Sequence, residues 1–238
     1  MYENFFDNCR VTLVEDDEHW HELRGKGIGG SDAAIIINES SYKTPYQLWR
    51  EKTGMVNQKF ITNAAIEKGN RLEQPLIDTF AALYPEYSLI DTKSISLESL
   101  KFPFMRANLD GALIGPDNKK GILEIKTTTI HRESTLKDNW TYYDREDRKE
   151  IIQIPKNYYC QCLHYLEVTD FDFCIIFALL DFPGRGNDGL RRQETRVELI
   201  LKENVVIDTA YIVKKEKEFW RKVQEKEPPV FLNKKITI

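Results

Sequence analysis

What the chain lacks narrows its class. None of its 238 residues lies in an apolar run long enough to span a bilayer. The opening MYENFFDNCRVTLVEDDEHW is acidic early and lacks the charged-then-apolar order of a secretory leader. A cytoplasmic protein with no membrane partner is therefore expected. Cysteine is scarce: Cys9, Cys160, Cys162 and Cys174 include no C-x-x-C pair and read as reduced core residues. Positive charge is not in excess either. The net charge of −4 excludes a protein that coats nucleic acid by electrostatics alone. A nucleic-acid enzyme of this charge must line a groove with its basic residues. Candidates are Lys119 and Lys120, the cluster Arg145, Arg148 and Lys149, and Arg185, Arg191, Arg192 and Arg196, all equally compatible with surface solubility. Internal repeats and low-complexity linkers are absent. With 41% hydrophobic and 30% charged residues, the chain is expected to form a single domain over residues 1–238.

Periodicity predicts helices flanking a mixed β-sheet, an α/β architecture. A short helix over 17–24 is followed by the glycine-rich GKGIGGSDAA, with Ser31 as N-cap of a helix through 37. Thr44 and Pro45 open another that stops at Gly54. A long helix is predicted over 64–84, one from about 155 to 168, and a last one over 203–225 that halts before Pro228 and Pro229. Two further strands follow residue 171.

The densest chemistry lies in FPFMRANLDGALIGPDNKKGILEIKTTT. An apolar strand over 104–109 delivers Asp110, a turn at 115–118 reverses the chain, and a second strand presents Glu124 and Lys126. Strand side chains alternate, so Glu124 and Lys126 share one face while Leu123 and Ile125 take the other. Two carboxylates beside an ammonium suit a hard cation that acidifies water and steadies charge on a phosphodiester. Alternating charge on one strand also describes a solvated face.

Further residues join this set. On the long helix, Ala65, Gly69, Leu72, Leu76, Ile77, Phe80 and Leu83 form an apolar stripe with Glu73 near its centre. Glu67, Lys68, Arg71, Gln74 and Asp78 take the opposite side. A carboxylate facing a core must be paired or bind a cation. It is either half of a buried ion pair or a third acidic group for the site. Gln161 edges an apolar face of Tyr158, Tyr159, Cys162, Tyr165 and Leu166, where its amide could hold a water, a phosphate or nearby backbone. The turn before Ser31 offers backbone N–H groups for an anion, to which Arg24 and Ser31 could add a guanidinium and a hydroxyl. It matches neither the phosphate-loop nor the dinucleotide-binding spacing, so a nucleotide-hydrolysing enzyme is not supported.

The ordered set Trp20-x-x-Leu23-Arg24, Gly27-Ile28-Gly29-Gly30-Ser31-Asp32-Ala33, Tyr42-x-x-Pro45-x-x-Leu48-Trp49, Gly69-x-x-x-Glu73, Asp110-Gly111, Glu124-Ile125-Lys126 and Tyr158-x-x-Gln161 resembles the YqaJ-like viral recombinase family, to which bacteriophage lambda exonuclease is related, within the PD-(D/E)xK nuclease superfamily. The resemblance covers about residues 20–168 and is weaker over 172–228. It implies a restriction-endonuclease-like core in which Asp110, Glu124, the Ile125 backbone carbonyl and Glu73 hold Mg²⁺, with Mn²⁺ as substitute. Lys126 and Gln161 complete the catalytic set, and Arg24 and Ser31 bind a 5′-phosphate. The implied activity is 5′→3′ digestion of double-stranded DNA to 3′ overhangs in phage or prophage recombination, in the cytoplasm of a bacterial host, with a single-strand annealing recombinase as partner and a homotrimer as assembly. An endonuclease or single-strand exonuclease on the same fold, or a silent DNA-binding or inhibitory module, are the alternatives. Related CRISPR-associated nucleases carry a cysteine-ligated iron–sulfur cluster; the cysteine spacing here provides none. Residues 131–149 align with no motif of the family.

Overall fold

The computed structural model describes residues 2–56, 63–144, 149–185 and 191–230. Strands β3 (Ser88–Ile90), β6 (Gly111–Ile114), β7 (Lys120–Thr129), β10 (Phe173–Arg185) and β11 (Arg191–Leu201) build one mixed sheet in the spatial order β11-β10-β7-β6-β3. Only β7 and β10 run parallel within it. A parallel pair needs a long crossover. Here it comprises α6 (Glu133–Asn139), a hairpin of β8 (Thr141–Asp144) and β9 (Lys149–Ile152), and α7 (Lys156–Thr169). A second sheet runs β1-β4-β5-β2, from β1 (Cys9–Leu13), β2 (Ile28–Gly29), β4 (Ile95–Ser99) and β5 (Met105–Ala107). The remaining helices are α1 (Tyr2–Phe5), α2 (Asp17–Gly25), α3 (Gly30–Ile36), α4 (Pro45–Lys52), α5 (Ala64–Leu83) and α8 (Val206–Gln224). The α/β class holds, with two mixed sheets in place of one.

The alternation of β7 divides the core. Leu123 and Ile125 pack against Leu76, Ile77 and Phe80 of α5, while Ile122 meets Cys162, Tyr165 and Leu166 of α7 on the opposite face. α8 is fastened beneath α7 by a buried pair, His164 Nδ1 to Glu216 Oε1 at 2.8 Å, and His164 Nε2 bonds the Arg106 carbonyl at 2.9 Å. All four cysteines are buried and free. Among the described residues, no helix is long and apolar enough to cross a membrane.

Several expectations change. The apolar stretch 104–109 is not one strand: β5 ends at Ala107 in one sheet and β6 begins at Gly111 in the other, so Asp110 sits in the bend between sheets. The N-cap of α3 is Gly29, and Asp32 accepts the Gly29 N–H at 3.1 Å; Ser31 lies inside the first turn. α5 packs through Leu72, Leu76, Ile77 and Phe80, while Ala65 and Leu83, near its two ends, are exposed. Lys68 faces the sheet, where it bonds Thr129 Oγ1 at 3.2 Å and pairs with the buried Asp181. The C-terminal helix starts at Val206, after a 3₁₀ turn over Lys202–Asn204. Within 131–149 the described residues contribute α6, β8 and the first residue of β9, with the fully buried Trp140 against Tyr158.

Candidate active site

The site forms where β6 stops short. β6 pairs with β7 only as far as Leu123, so beyond that residue the edge of β7 opens into a cleft. The Ile125 N–H that would have met a strand instead donates to Asp110 Oδ2 at 2.7 Å. In a strand, the N–H and C=O of one residue point to the same side. The Ile125 carbonyl therefore faces the same open edge as Asp110.

Glu124 stands on the α7 side of β7 and is only 1% exposed. Its Oε1 accepts from Lys126 Nζ at 2.5 Å and from Gln161 Nε2 at 2.6 Å. Its Oε2 is buried and has no hydrogen-bond partner among the described residues. Gln161 Nε2 also donates to the Tyr165 hydroxyl at 3.1 Å, which in turn donates to the Asn108 carbonyl at 2.9 Å. Tyr165 thus ties Gln161 to the segment that carries Asp110. Lys126 lies over the Tyr158 ring, 5.1 Å from its centroid.

The electrostatics are those of crowded acids. Burial, then the neighbouring Asp110 charge, pushes Glu124 up to about 8. Burial also raises Asp110, and burial with the Asp110 charge raises Glu73. Burial opposes a charge on Lys126, but the Glu124 and Asp110 carboxylates outweigh it and lift its pKa. These neighbours favour the ammonium form of Lys126. Lys126 faces Asp110 and Glu124, and of the three carboxyls Lys93 acts only on Glu73, so the buried carboxyls keep negative charge that a proton or a cation can balance.

A cleft of about 510 Å³ gathers the candidate residues. Arg24, Ser31, Glu73, Asp110, Glu124, Ile125, Lys126 and Gln161 all line it. The Arg24 guanidinium donates to Ser31 Oγ at 2.7 Å and stacks 5.0 Å over Trp20. Among the described residues, no three His, Cys, Asp or Glu side chains converge as a preformed metal cage; Glu73 lines the cleft without closing such a cluster. The donor set nevertheless fits a hard divalent cation: Asp110, the orphaned Glu124 Oε2 and an outward carbonyl are all oxygen ligands.

The basic candidates fare differently. Lys120 is tied to the Phe5 carbonyl at 2.7 Å and to Asp7 at 3.1 Å, at the end of β7 remote from Lys126; six strand residues put it about 20 Å away. Lys119 pairs with Asp117 at 3.4 Å. Arg192 and Arg196 both pair with Glu194. Arg145 and Arg148 and the side chains of Lys149, Arg185 and Arg191 lie outside the described residues. Tyr165 was not singled out from the sequence. Its signal was available: it lies four residues after Gln161, on the same helix face.

Comparison with known proteins identifies the family and the fold. An uncharacterised protein YqaJ of Bacillus subtilis (strain 168) is 32% identical over 151 residues, which cover 63% of this chain and 42% of that protein. The chain thus matches less than half the length of this relative. Among solved structures, an alkaline exonuclease from Laribacter hongkongensis, LHK-Exo in complex with dAMP, superposes with a TM-score of 0.58 at 18% identity, over 89% of this chain and 94% of its own. A SOX–DNA complex gives 0.53 at 12% identity, over 89% and 68%. These two likenesses show a shared fold. The model of the YqaJ-like viral recombinase domain matches residues 19–172, and the chain belongs to that family.

Proposed function

We propose that the chain is a divalent-metal-dependent exonuclease that digests linear double-stranded DNA from its 5′ end, leaving 3′ single strands for annealing-based recombination. The observation that carries this reading is the single cleft in which Asp110, Glu124 and Lys126 meet an anion site of Arg24 and Ser31. The shared fold with LHK-Exo, an alkaline exonuclease, and with SOX, seen in complex with DNA, supports the same substrate class.

Asp110, Glu124 and the Ile125 carbonyl, with Glu73 nearby, would hold Mg²⁺ or Mn²⁺, and such an ion when bound supplies an acidified water and positive charge for the phosphodiester. The chain's own groups do the rest. Gln161 and Lys126 fix Glu124 through Oε1. Lys126, held charged, orients the attacking water or neutralises charge that builds on the scissile phosphate. Arg24 and Ser31 seat the terminal 5′-phosphate, which sets where the chain is cut. The family resemblance adds a single-strand annealing partner and a homotrimer.

End-labelled linear duplex, with and without 5′-phosphate, is compared with closed circular DNA in Mg²⁺ and in chelator. Digestion of the linear form alone, stimulated by the phosphate and abolished by chelator, is the expected result. Cleavage of the circle would point to an endonuclease, and no cleavage of any substrate to a silent DNA-binding module.

Two further results are expected. Gly30 is packed so closely that a Cβ would stand 2.5 Å from Tyr165 Cε1 and 2.9 Å from Gln161 Cγ. Gly30→Ala must displace both, and a shift of about 1 Å at Gln161 lowers turnover by roughly a hundredfold. Unchanged turnover in a folded Gly30→Ala protein would show that the Tyr165–Gln161 spacing is irrelevant to the reaction.

The second concerns pH. The folded-state pKa of Glu124 is about 8 against an ordinary 4.5, so the fold favours the protonated form and unfolding releases the proton. The stability this contributes to the metal-free protein is then full below about pH 4.5 and is lost as pH rises toward 8. Thermal unfolding in chelator from pH 5 to 8 measures this. Glu124→Gln should flatten the slope, and Mg²⁺ should stabilise the wild type most at the alkaline end. A flat profile in the metal-free wild type would contradict the crowding of acids.

A further inference from the structure

Beneath the anion site lies a buried ion pair that the proposed reaction does not use. Lys52, the last residue of α4, has a fully buried side chain, and its ammonium stands 3.0 Å from Asp32 Oδ2. The same ammonium donates to the Arg24 backbone carbonyl at 3.0 Å. Asp32 Oδ2 also accepts the Gly29 N–H at 3.1 Å. One lysine thereby joins the C-terminal turn of α2, the first turn of α3 and the end of α4, the three segments around Arg24 and Ser31.

The charge arithmetic is sharper than the packing. Asp32 directly follows Ser31 and is 4% exposed, so an uncompensated carboxylate there would repel a phosphate and attract the nearest guanidinium. That guanidinium belongs to Arg24, whose charge already acts on Asp32. Burial opposes ionisation of Asp32, but the Lys52 and Arg24 charges outweigh it and hold its carboxyl below the usual range. Arg24 is at present turned to the Ser31 hydroxyl and the Trp20 ring.

We propose that Lys52 is a positioning residue for the anion site: by neutralising Asp32 it leaves the Arg24 guanidinium free for a terminal phosphate. The inference rests on the reading of Arg24 and Ser31 as the 5′-phosphate site. It differs from a packing role in one respect. If Lys52 acts by charge, removing Asp32 must be harmless where removing Lys52 is not.

Initial rates on linear duplex with 5′-phosphate or 5′-hydroxyl ends give a preference ratio. Lys52→Met is expected to cut the wild-type ratio by about tenfold, the size of one hydrogen bond to a charged group, with the rate on 5′-hydroxyl ends unchanged. Asp32→Asn should keep the wild-type ratio. Asp32→Asn combined with Lys52→Met should recover it to within about threefold. Equal losses in the two single variants, or no loss in Lys52→Met, overturn the proposal. Should Lys52→Met fail to fold by circular dichroism, Asp32→Asn and the double variant decide: wild-type ratios in both support the charge role, and a lost ratio in either overturns it. A wild-type enzyme indifferent to the terminal phosphate, with Arg24→Ala the same, would instead sink the phosphate-site reading and the role of Lys52 with it. A ratio that Arg24→Ala abolishes and Lys52→Met leaves intact sinks the role of Lys52 alone.

Discussion

Glu124→Ala and Lys126→Ala are each expected to lower hydrolysis of linear duplex by roughly a thousandfold while duplex binding persists. Glu124 Oε1 is the point on which Lys126 and Gln161 converge. Removing the carboxylate releases both partners as well as deleting an oxygen that, in the proposed function, would hold the metal. Removing the ammonium takes away the cation that, among the described residues, acts on Glu124 and Asp110, which pushes both further toward protonation. Because the two residues act as one unit, the double variant should fall little further than either single one. Binding is expected to survive, since Arg24 and Ser31 are tied to each other and to neither residue. Digestion rates and gel-shift titrations in chelator measure the two quantities. Either variant digesting linear duplex at the wild-type rate would falsify the roles assigned here.

The sequence made this constellation legible because it depends on local periodicities. Glu124 and Lys126 share a face by strand alternation, and Glu73 and Gln161 reach the cleft by helical spacing. What stayed hidden depends on where the chain changes direction. Residues 104–109 alternate like a single strand, and nothing local announces that Asn108–Asp110 leaves one sheet for another; yet that switch frees Asp110 to meet the Ile125 N–H. The helical wheel misplaced Lys68 because it treats a helix as packed along its whole length. α5 packs its apolar residues from Leu72 to Phe80, so its earlier turns line the cleft and Lys68 reaches Asp181. Ser31 has the chemistry of an N-cap, but the cap is a glycine and the hydroxyl is turned to Arg24. Lys52 ends the PYQLWREK segment beside other charged residues; its burial arises from contacts with Arg24 and Asp32, which are distant in the chain. The charge of Lys119 and Lys120 suggested a nucleic-acid groove, whereas their positions at the start of β7 bind them to Asp117 and Asp7.

The largest loss of stability is expected from Gly121→Ala. Gly121 opens β7 opposite Phe173, its register partner on the parallel β10. A Cβ on Gly121 would stand 2.1 Å from Phe173 Cε2 and 2.2 Å from its Cζ, distances that no rotation of the new methyl relieves. The ring must leave. It is 5% exposed, belongs to the cluster under α5 and packs 5.9 Å from the Tyr87 ring. Expelling it forfeits a buried aromatic side chain and strains the start of the β7–β10 pair, together about 3–5 kcal/mol. A smaller side chain at 173 leaves room for the methyl, so the double variant Gly121→Ala/Phe173→Leu should be more stable than the sum of the single losses. Chemical denaturation of the four proteins tests this. Additive losses would mean that the two residues do not compete for one volume, and that the glycine serves the backbone rather than the ring above it.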